Sequence, residues 1–230
     1  MCGRFTLTAN PKAVAEHFEL DEMPVLAPRF NIAPGQEVAT VAESEEGRRI
    51  TPRRWGLIPR WAENPGVGAR MINARSETVA ERPAYRSALR HRRCLIPADG
   101  FYEWAAGPSP RQPHYIRLPD HSLFAMAGLW ERWEPKEGAD PIESCTVLTT
   151  EANRVVGALH ARMPVILPRE DWRTWLDPEI REPGALTGLF AAWPDAETAC
   201  EPVGLAVNDT RVEGPECIAA IEAPVQGQLF

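Results

Sequence analysis
The chain has 230 residues and a mass of 25.6 kDa; 44% of it is hydrophobic and 25% charged, with a net charge of −7. These are ordinary figures for a globular domain, so wholesale disorder is excluded, and the length suits one large domain with a sizeable core. No apolar run approaches the roughly 18 residues of a membrane-spanning helix. The start, Met-Cys-Gly-Arg-Phe, lacks a basic patch followed by an apolar stretch, so a cytoplasmic protein is expected, with no membrane partner.

Along the chain, Asn10-Pro11 pairs a capping side chain with a first-turn proline and predicts a helix over about residues 11–19. Strand-like apolar runs follow at Cys94–Ala98, Phe101–Trp104, His114–Leu118, Leu123–Leu129 and Ser144–Leu148, with Asp99-Gly100 as a tight-turn signal between the first two. Thr149 and Thr150 are expected to cap a helix over about 151–159, stopped near Met163 by Pro164. Pro164–Leu167 reads as a strand and Glu170–Leu176 as a short helix with Trp172 and Trp175 on one face. Many short strands interrupted by helices, without βαβ alternation, indicate an α+β fold around a mainly antiparallel β core or barrel. One domain over residues 1–222 and a loose tail over 223–230 are expected, in a monomer.

Charge is distributed unevenly. Between Arg48 and Arg93 lie twelve arginines against Glu63, Glu77 and Glu81, whereas from Asp120 onward nineteen acidic residues face eight basic ones. Only Lys12 and Lys136 are lysines. Arginine's planar fork suits bidentate phosphate contact, so a basic face on an acidic protein is a plausible polyanion site; a solvated arginine-rich surface is the plainer alternative. The five cysteines, Cys2, Cys94, Cys145, Cys200 and Cys217, are odd in number and widely spaced, which argues against both a disulfide framework and a zinc site. The last four read as buried structural thiols. His17, His91, His114 and His121 are too dispersed for a metal motif, and neither a metal nor an organic cofactor is expected.

Cys2 is the most suggestive residue. Removal of Met1 would leave it with a free α-amine beside its thiol. An α-amine has a pKa near 7.8 against about 10.4 for lysine, so its neutral fraction at pH 7 is roughly a few hundred times larger. A 1,2-aminothiol condenses with an aldehyde through a Schiff base, and sulfur then closes a five-membered thiazolidine. A terminus that merely happens to contain cysteine is the alternative from position alone.

Six motifs occur in series. They are Cys2-Gly3-Arg4-Phe5, Arg29-Phe30-Asn31-Ile32-Ala33-Pro34-Gly35, Trp55-Gly56-Leu57-Ile58-Pro59, Ile72-Asn73-Ala74-Arg75-Ser76-Glu77-Thr78, Arg93 through Trp104, and His160-Ala161-Arg162-Met163-Pro164. Together they resemble the SOS-response-associated peptidase (SRAP) family, proteins that shield abasic sites in single-stranded DNA, from Cys2 to about Asn208. The resemblance implies that the Cys2 amine attacks the C1′ aldehyde of an abasic deoxyribose and that its thiol closes the ring. Glu103 matches the family's active-site glutamate, where partial desolvation by Phe101 and Trp104 suits it to shuttle protons. His160 matches the family's histidine, an imidazole that exchanges protons near neutral pH. Asn73 is placed to orient the sugar or the Cys2 terminus.

Arg4 and Arg75 match arginines that hold phosphates beside the lesion, and Arg162 joins them as a DNA-binding residue. Trp55, Trp61 and Trp104 are candidates for stacking on bases. The function expected is covalent crosslinking to abasic single-stranded DNA in the DNA-damage response near the nucleoid and replication fork. An abasic-lyase side reaction could run by β-elimination. Two other classes stay open: a cysteine peptidase or amidohydrolase with Cys2 as amino-terminal nucleophile, down to self-removal of Met1, and a noncovalent DNA-binding module that does not need Cys2. Finally, Gln226-Gly227-Gln228-Leu229-Phe230 resembles peptides that dock into the bacterial sliding clamp, although Leu229 and Phe230 could equally tuck against the domain.

Overall fold
In this computed structural model, residues 2–44, 47–107, 109–136, 138 and 140–221 are described. Asn10 caps helix α1 (Pro11–Phe18) as its sequence predicts, its side chain accepting from the Ala13 N–H at 2.9 Å. The helix buries Val14 and Phe18, and Phe18 stacks on Trp172 with ring centroids 4.9 Å apart. Three more short helices, α2 (Arg86–His91), α3 (Arg154–Gly157) and α4 (Trp172–Leu176), lie around strands. The strands are β1 (Phe5–Leu7), β2 (Arg29–Ile32), β3 (Glu37–Ser44), β4 (Gly47–Trp55), β5 (Asn73–Arg75), β6 (Arg93–Ala98) and β7 (Gly100–Trp104). They continue as β8 (Pro113–Arg117), β9 (Phe124–Trp133), β10 (Ile142–Glu151), β11 (Arg162–Pro164), β12 (Ile166–Leu167) and β13 (Ala199–Pro202).

These strands form two sheets. One is antiparallel throughout, in the order β13-β8-β7-β1-β2. In the other, β10 pairs with β4, β4 with β3, β3 with β6, β6 with β9 and β9 again with β10, so five strands close on themselves. Closure removes the exposed edges that an open sheet of this size would carry. Only β4 and β5 run parallel to β10. The fold is the α+β architecture with a mainly antiparallel, partly closed core that the strand spacing implies. Among the described residues no helix is long and apolar enough to cross a membrane.

Two local expectations are corrected. Asp99-Gly100 is not a hairpin turn, because β6 belongs to the closed ring and β7 to the other sheet. At this crossing Gly100 is required by space: a Cβ there would lie 2.2 Å from the Tyr115 ring. Thr149 and Thr150 do not cap a helix, because β10 runs through Glu151 and pairs both with β11. Ladder pairing and burial of the two β-branched side chains outweigh their capping tendency. Asn153 is the actual cap, accepting from the Val156 N–H at 2.9 Å, and α3 is a single turn. Pro164–Leu167 divides into β11 on β10 and β12 on β9, with Val165 donating to Leu148 O and accepting from Ala127 N between them. Strands β1 to β5 and β13 carry weaker alternation and were not expected individually.

The arginine-rich segment also divides. Arg93 is buried and donates to the carbonyls of Leu89, Trp175 and Asp177, so it fastens the ends of α2 and α4. Arg53 is buried against Thr40, Glu143 and the face of Trp130. Arg49, Arg60, Arg70, Arg75, Arg82, Arg86 and Arg90 remain exposed, which is enough for a basic surface.

Asp99 holds the crossing in place. Its buried carboxylate accepts from the Thr6 hydroxyl at 2.5 Å, the Thr8 N–H at 2.5 Å, the Thr8 hydroxyl at 2.7 Å and the Ala9 N–H at 3.1 Å. Asp99→Ala takes that acceptor from the Thr8 and Ala9 donors, while the Thr6 hydroxyl keeps Gly100 O and the Tyr115 hydroxyl within reach. A loss of about 3 kcal/mol in unfolding free energy is expected by urea titration; a loss under about 0.5 kcal/mol would show that water replaces the carboxylate.

Candidate active site
The β1–β7 ladder continues past the end of β1, with the Tyr102 N–H donating to Arg4 O at 2.9 Å. Residues 2–4 therefore run along the strand that carries Glu103. Cys2 is completely buried, and its carbonyl accepts from Asn73 Nδ2 at 2.8 Å. Its thiol is pushed up to about 12, first by burial and then by the negative charge of Glu103. The Glu103 carboxyl is itself raised by burial, opposed by the positive charge at the chain's amino terminus and by His160. Glu103 is thus close enough to sense both Cys2 and His160.

Asn73 and His160 come from the second sheet. In β10, Thr149 lies opposite Arg75 of β5 on one side and Pro164 of β11 on the other. Asn73 and Arg75, two residues apart, share a face of β5. Arg75 is exposed, while the Asn73 side chain is turned inward with a buried Oδ1 that has no partner among the described residues. The Tyr85 hydroxyl donates to Asn73 O at 3.3 Å. His160 stands just before β11, and its Nδ1 accepts from the Arg162 N–H at 3.0 Å. Nδ1 also lies 3.3 Å from Arg162 O, a contact only the Nδ1–H tautomer could use; the shorter contact, from an amide that can only donate, favours the neutral tautomer with its proton on Nε2.

The arginines and tryptophans separate by burial. Arg4 Nη1 donates to Asn31 Oδ1 at 2.6 Å and Val207 O at 2.7 Å, and its guanidinium lies 5.7 Å from the Trp104 ring centroid. Trp104 is partly buried and donates to Asn208 Oδ1 at 2.6 Å. Arg162 is held by Glu77 and by Thr149 O. Trp61 is 65% exposed and open to a stacking partner. Trp55 is not: it is fully enclosed, edge-on to Phe5, and its indole N–H donates to Ile72 O at 2.8 Å. Its place as a base-stacking candidate is withdrawn, because a ring closed in on all sides presents no face to a base.

Asn31 escaped the sequence reading. It is buried and ties Arg4 to the carbonyls of Asp209 and Val212, contacts between segments far apart in the chain that no local pattern reveals. Among the described residues no group of His, Cys, Asp or Glu could hold a metal ion.

Residues 1–210 match the SOS response associated peptidase (SRAP) family. The chain belongs to it. This SRAP chain is 40% identical over 222 residues to the abasic site processing protein YoqW of Bacillus subtilis, covering 95% of this chain and 99% of that one. It is 35% identical over 202 residues to the abasic site processing protein HMCES of Xenopus tropicalis, covering 78% of this chain and 59% of the longer relative. A crystal structure of a protein from Bacteroides thetaiotaomicron shares the fold with a TM-score of 0.87 at 22% identity, over 96% of this SRAP chain and 100% of that one.

The electrostatics of the SRAP site give a direct check. The thiolate absorbance of Cys2, taken as wild type minus Cys2→Ala, should remain small through about pH 9 and rise only above about pH 10. Glu103→Gln removes a negative charge beside the thiol and should move that rise to lower pH. A full Cys2 thiolate signal at about pH 9 would contradict the burial argument.

Proposed function
We propose that this protein processes abasic sites in single-stranded DNA by joining Cys2 covalently to the lesion as a thiazolidine. The observation that carries the reading is that Asn73, from β5, holds the Cys2 carbonyl, while the Glu103 carboxyl, from β7, acts on the Cys2 thiol and in turn feels His160, just before β11. The names of the relatives, abasic site processing proteins, point to the same substrate.

With Met1 removed, the neutral Cys2 amine attacks the C1′ aldehyde of the ring-opened deoxyribose. The carbinolamine loses its hydroxyl as water, with the proton supplied from the Glu103 carboxyl or from a His160 imidazolium, and leaves an iminium ion that keeps the nitrogen's proton. Burial raises the thiol, to about 12 with Met1 in place, so ring closure needs a base at the thiol. Glu103, as the carboxylate, fills that role: it accepts the Sγ proton as sulfur adds to the iminium carbon, and the C=N electron pair returns to the nitrogen, which keeps its proton. The balance is aldehyde plus aminothiol giving thiazolidine plus one water. Asn73 fixes the Cys2 carbonyl and leaves its Oδ1 toward the sugar. Arg75, with Arg162 and Arg4 behind it, supplies positive charge for the flanking phosphates, and Trp61 a stacking face. Single strands are preferred because a paired strand would crowd the buried terminus.

A denaturing gel tests this. Met1-free protein incubated with single-stranded DNA bearing one abasic site should give a heat-stable shifted band without borohydride, and Cys2→Ala should give none. Absence of the band with wild-type protein rejects the crosslinking reading.

Gln226, Leu229 and Phe230 lie outside the described residues. Their resemblance to clamp-docking peptides makes the sliding clamp a proposed partner. Immobilised clamp should retain the wild-type protein and lose the Leu229→Ala/Phe230→Ala variant; equal retention rejects the partner.

A further inference from the structure
Glu77 takes no part in the chemistry above, yet both of its oxygens are engaged. Arg162 Nη1 donates to Oε1 at 2.5 Å and Nη2 to Oε2 at 2.8 Å, and Nη2 also donates to Thr149 O at 2.5 Å. Ion pairs at the surface contribute little when both partners are solvated. Here the Glu77 side chain is 51% exposed but the arginine only 15%, and the contact is a two-point fork. The Glu77 carboxyl is held below its ordinary range, chiefly by the hydrogen bond from Arg162.

The placement of this fork is what matters. Thr149 has β5 on one side and β11 on the other. Glu77 follows β5 by two residues, and Arg162 opens β11, so the fork crosses β10 and ties together the two strands that deliver Asn73 and His160. The backbone N–H of the same Arg162 donates to His160 Nδ1. One residue thus grips Glu77 with its side chain and sets the imidazole tautomer with its backbone.

We propose that Glu77 is a positioning residue: through Arg162 it holds His160 as the Nε2–H tautomer and in register with Asn73 across β10. The inference rests on the abasic-site reading of the same site. A different role would act in the opposite direction. If Glu77 served only to repel phosphates, its neutralisation would tighten DNA binding and speed the reaction.

The test is Glu77→Gln, with wild type in parallel. Affinity is read with single-stranded DNA carrying a tetrahydrofuran abasic analogue, which lacks the aldehyde, and the crosslinking rate is read at saturating abasic DNA. Misplacement of reacting groups by order 1 Å can cost up to about 100-fold. A rate about tenfold lower is expected, with the analogue's Kd within about threefold of wild type. The second readout is the ¹⁵N spectrum of the His160 ring without DNA, which should show one neutral tautomer in wild type and a mixture in Glu77→Gln. An unchanged or faster rate at saturation, or a preserved single tautomer, overturns the proposal. Failure of wild type itself to crosslink rejects the abasic-site reading, and the ring spectra then decide the role of Glu77 alone. Should Glu77→Gln not fold, Glu77→Asp, one methylene short of the fork, is judged by the same two readouts.

Discussion
The structure depends on bringing Cys2, near the start of the chain, inside. Termini ordinarily fray, and holding one in place requires that its backbone be paired and its side chains packed. β1 meets both conditions in only three residues, because it has a strand on each side and no solvent-facing side chain. The Asp99 carboxylate then gathers the hydroxyls and N–H groups just beyond it. With the strand fixed at Phe5–Leu7, the ladder bond from Tyr102 to Arg4 carries the ordering back to Cys2. A terminus left in solvent would present the same amine and thiol without any acid or base beside them.

Strand β10 does the corresponding work for the second sheet. Its first part, Ile142 to Val147, belongs to the closed ring, while the stretch from Leu148 to Glu151 is paired with β5 and β11 instead. Asn73 and His160 are thereby held against a rigid strand rather than on free loops. The polar groups that descend into this region are bonded in chains: Arg4 to Asn31, Asn31 to the carbonyls of Asp209 and Val212, and Arg162 to Glu77. Chains of this kind limit the cost of burying charge and give each member one geometry.

Much of this was legible in the sequence where the signal is local. The Asn10-Pro11 start of α1, the apolar runs of β6 to β10 and the double tryptophan of α4 all follow from nearest-neighbour chemistry. The series of motifs pointed to the family because six signals, each modest alone, occur in order. Local reasoning failed where distant pairing decided the outcome. Thr149 and Thr150 are good caps in isolation, but β11 claims them for a strand. Asp99-Gly100 has the composition of a turn, but the glycine is there to admit the Tyr115 ring. Trp55 and Trp61 are six residues apart and compositionally alike, yet the first lies in the core and the second in solvent. Asn31 and Glu77 were passed over because their partners lie 27 and 85 positions away.

The acidity of Cys2 bears on which reaction the site suits. A cysteine hydrolase gains its nucleophile by lowering the thiol pKa, with a protonated histidine or a helix amino terminus beside the sulfur. Here burial and the Glu103 carboxylate act the other way, so the resting site stores a neutral thiol next to a base that is itself raised. An amine needs no such activation, since an α-amine is partly neutral near pH 7. Attack by nitrogen first and by sulfur second therefore matches the order in which the two groups become nucleophilic. Proton transfer from sulfur to Glu103 also removes the negative charge that had raised the thiol, so the base that permits closure stops opposing it as closure proceeds. Burial that raises the thiol opposes its use as a resting peptidase nucleophile, and in the proposed reaction it would keep the thiol protonated until the nitrogen has captured the electrophile.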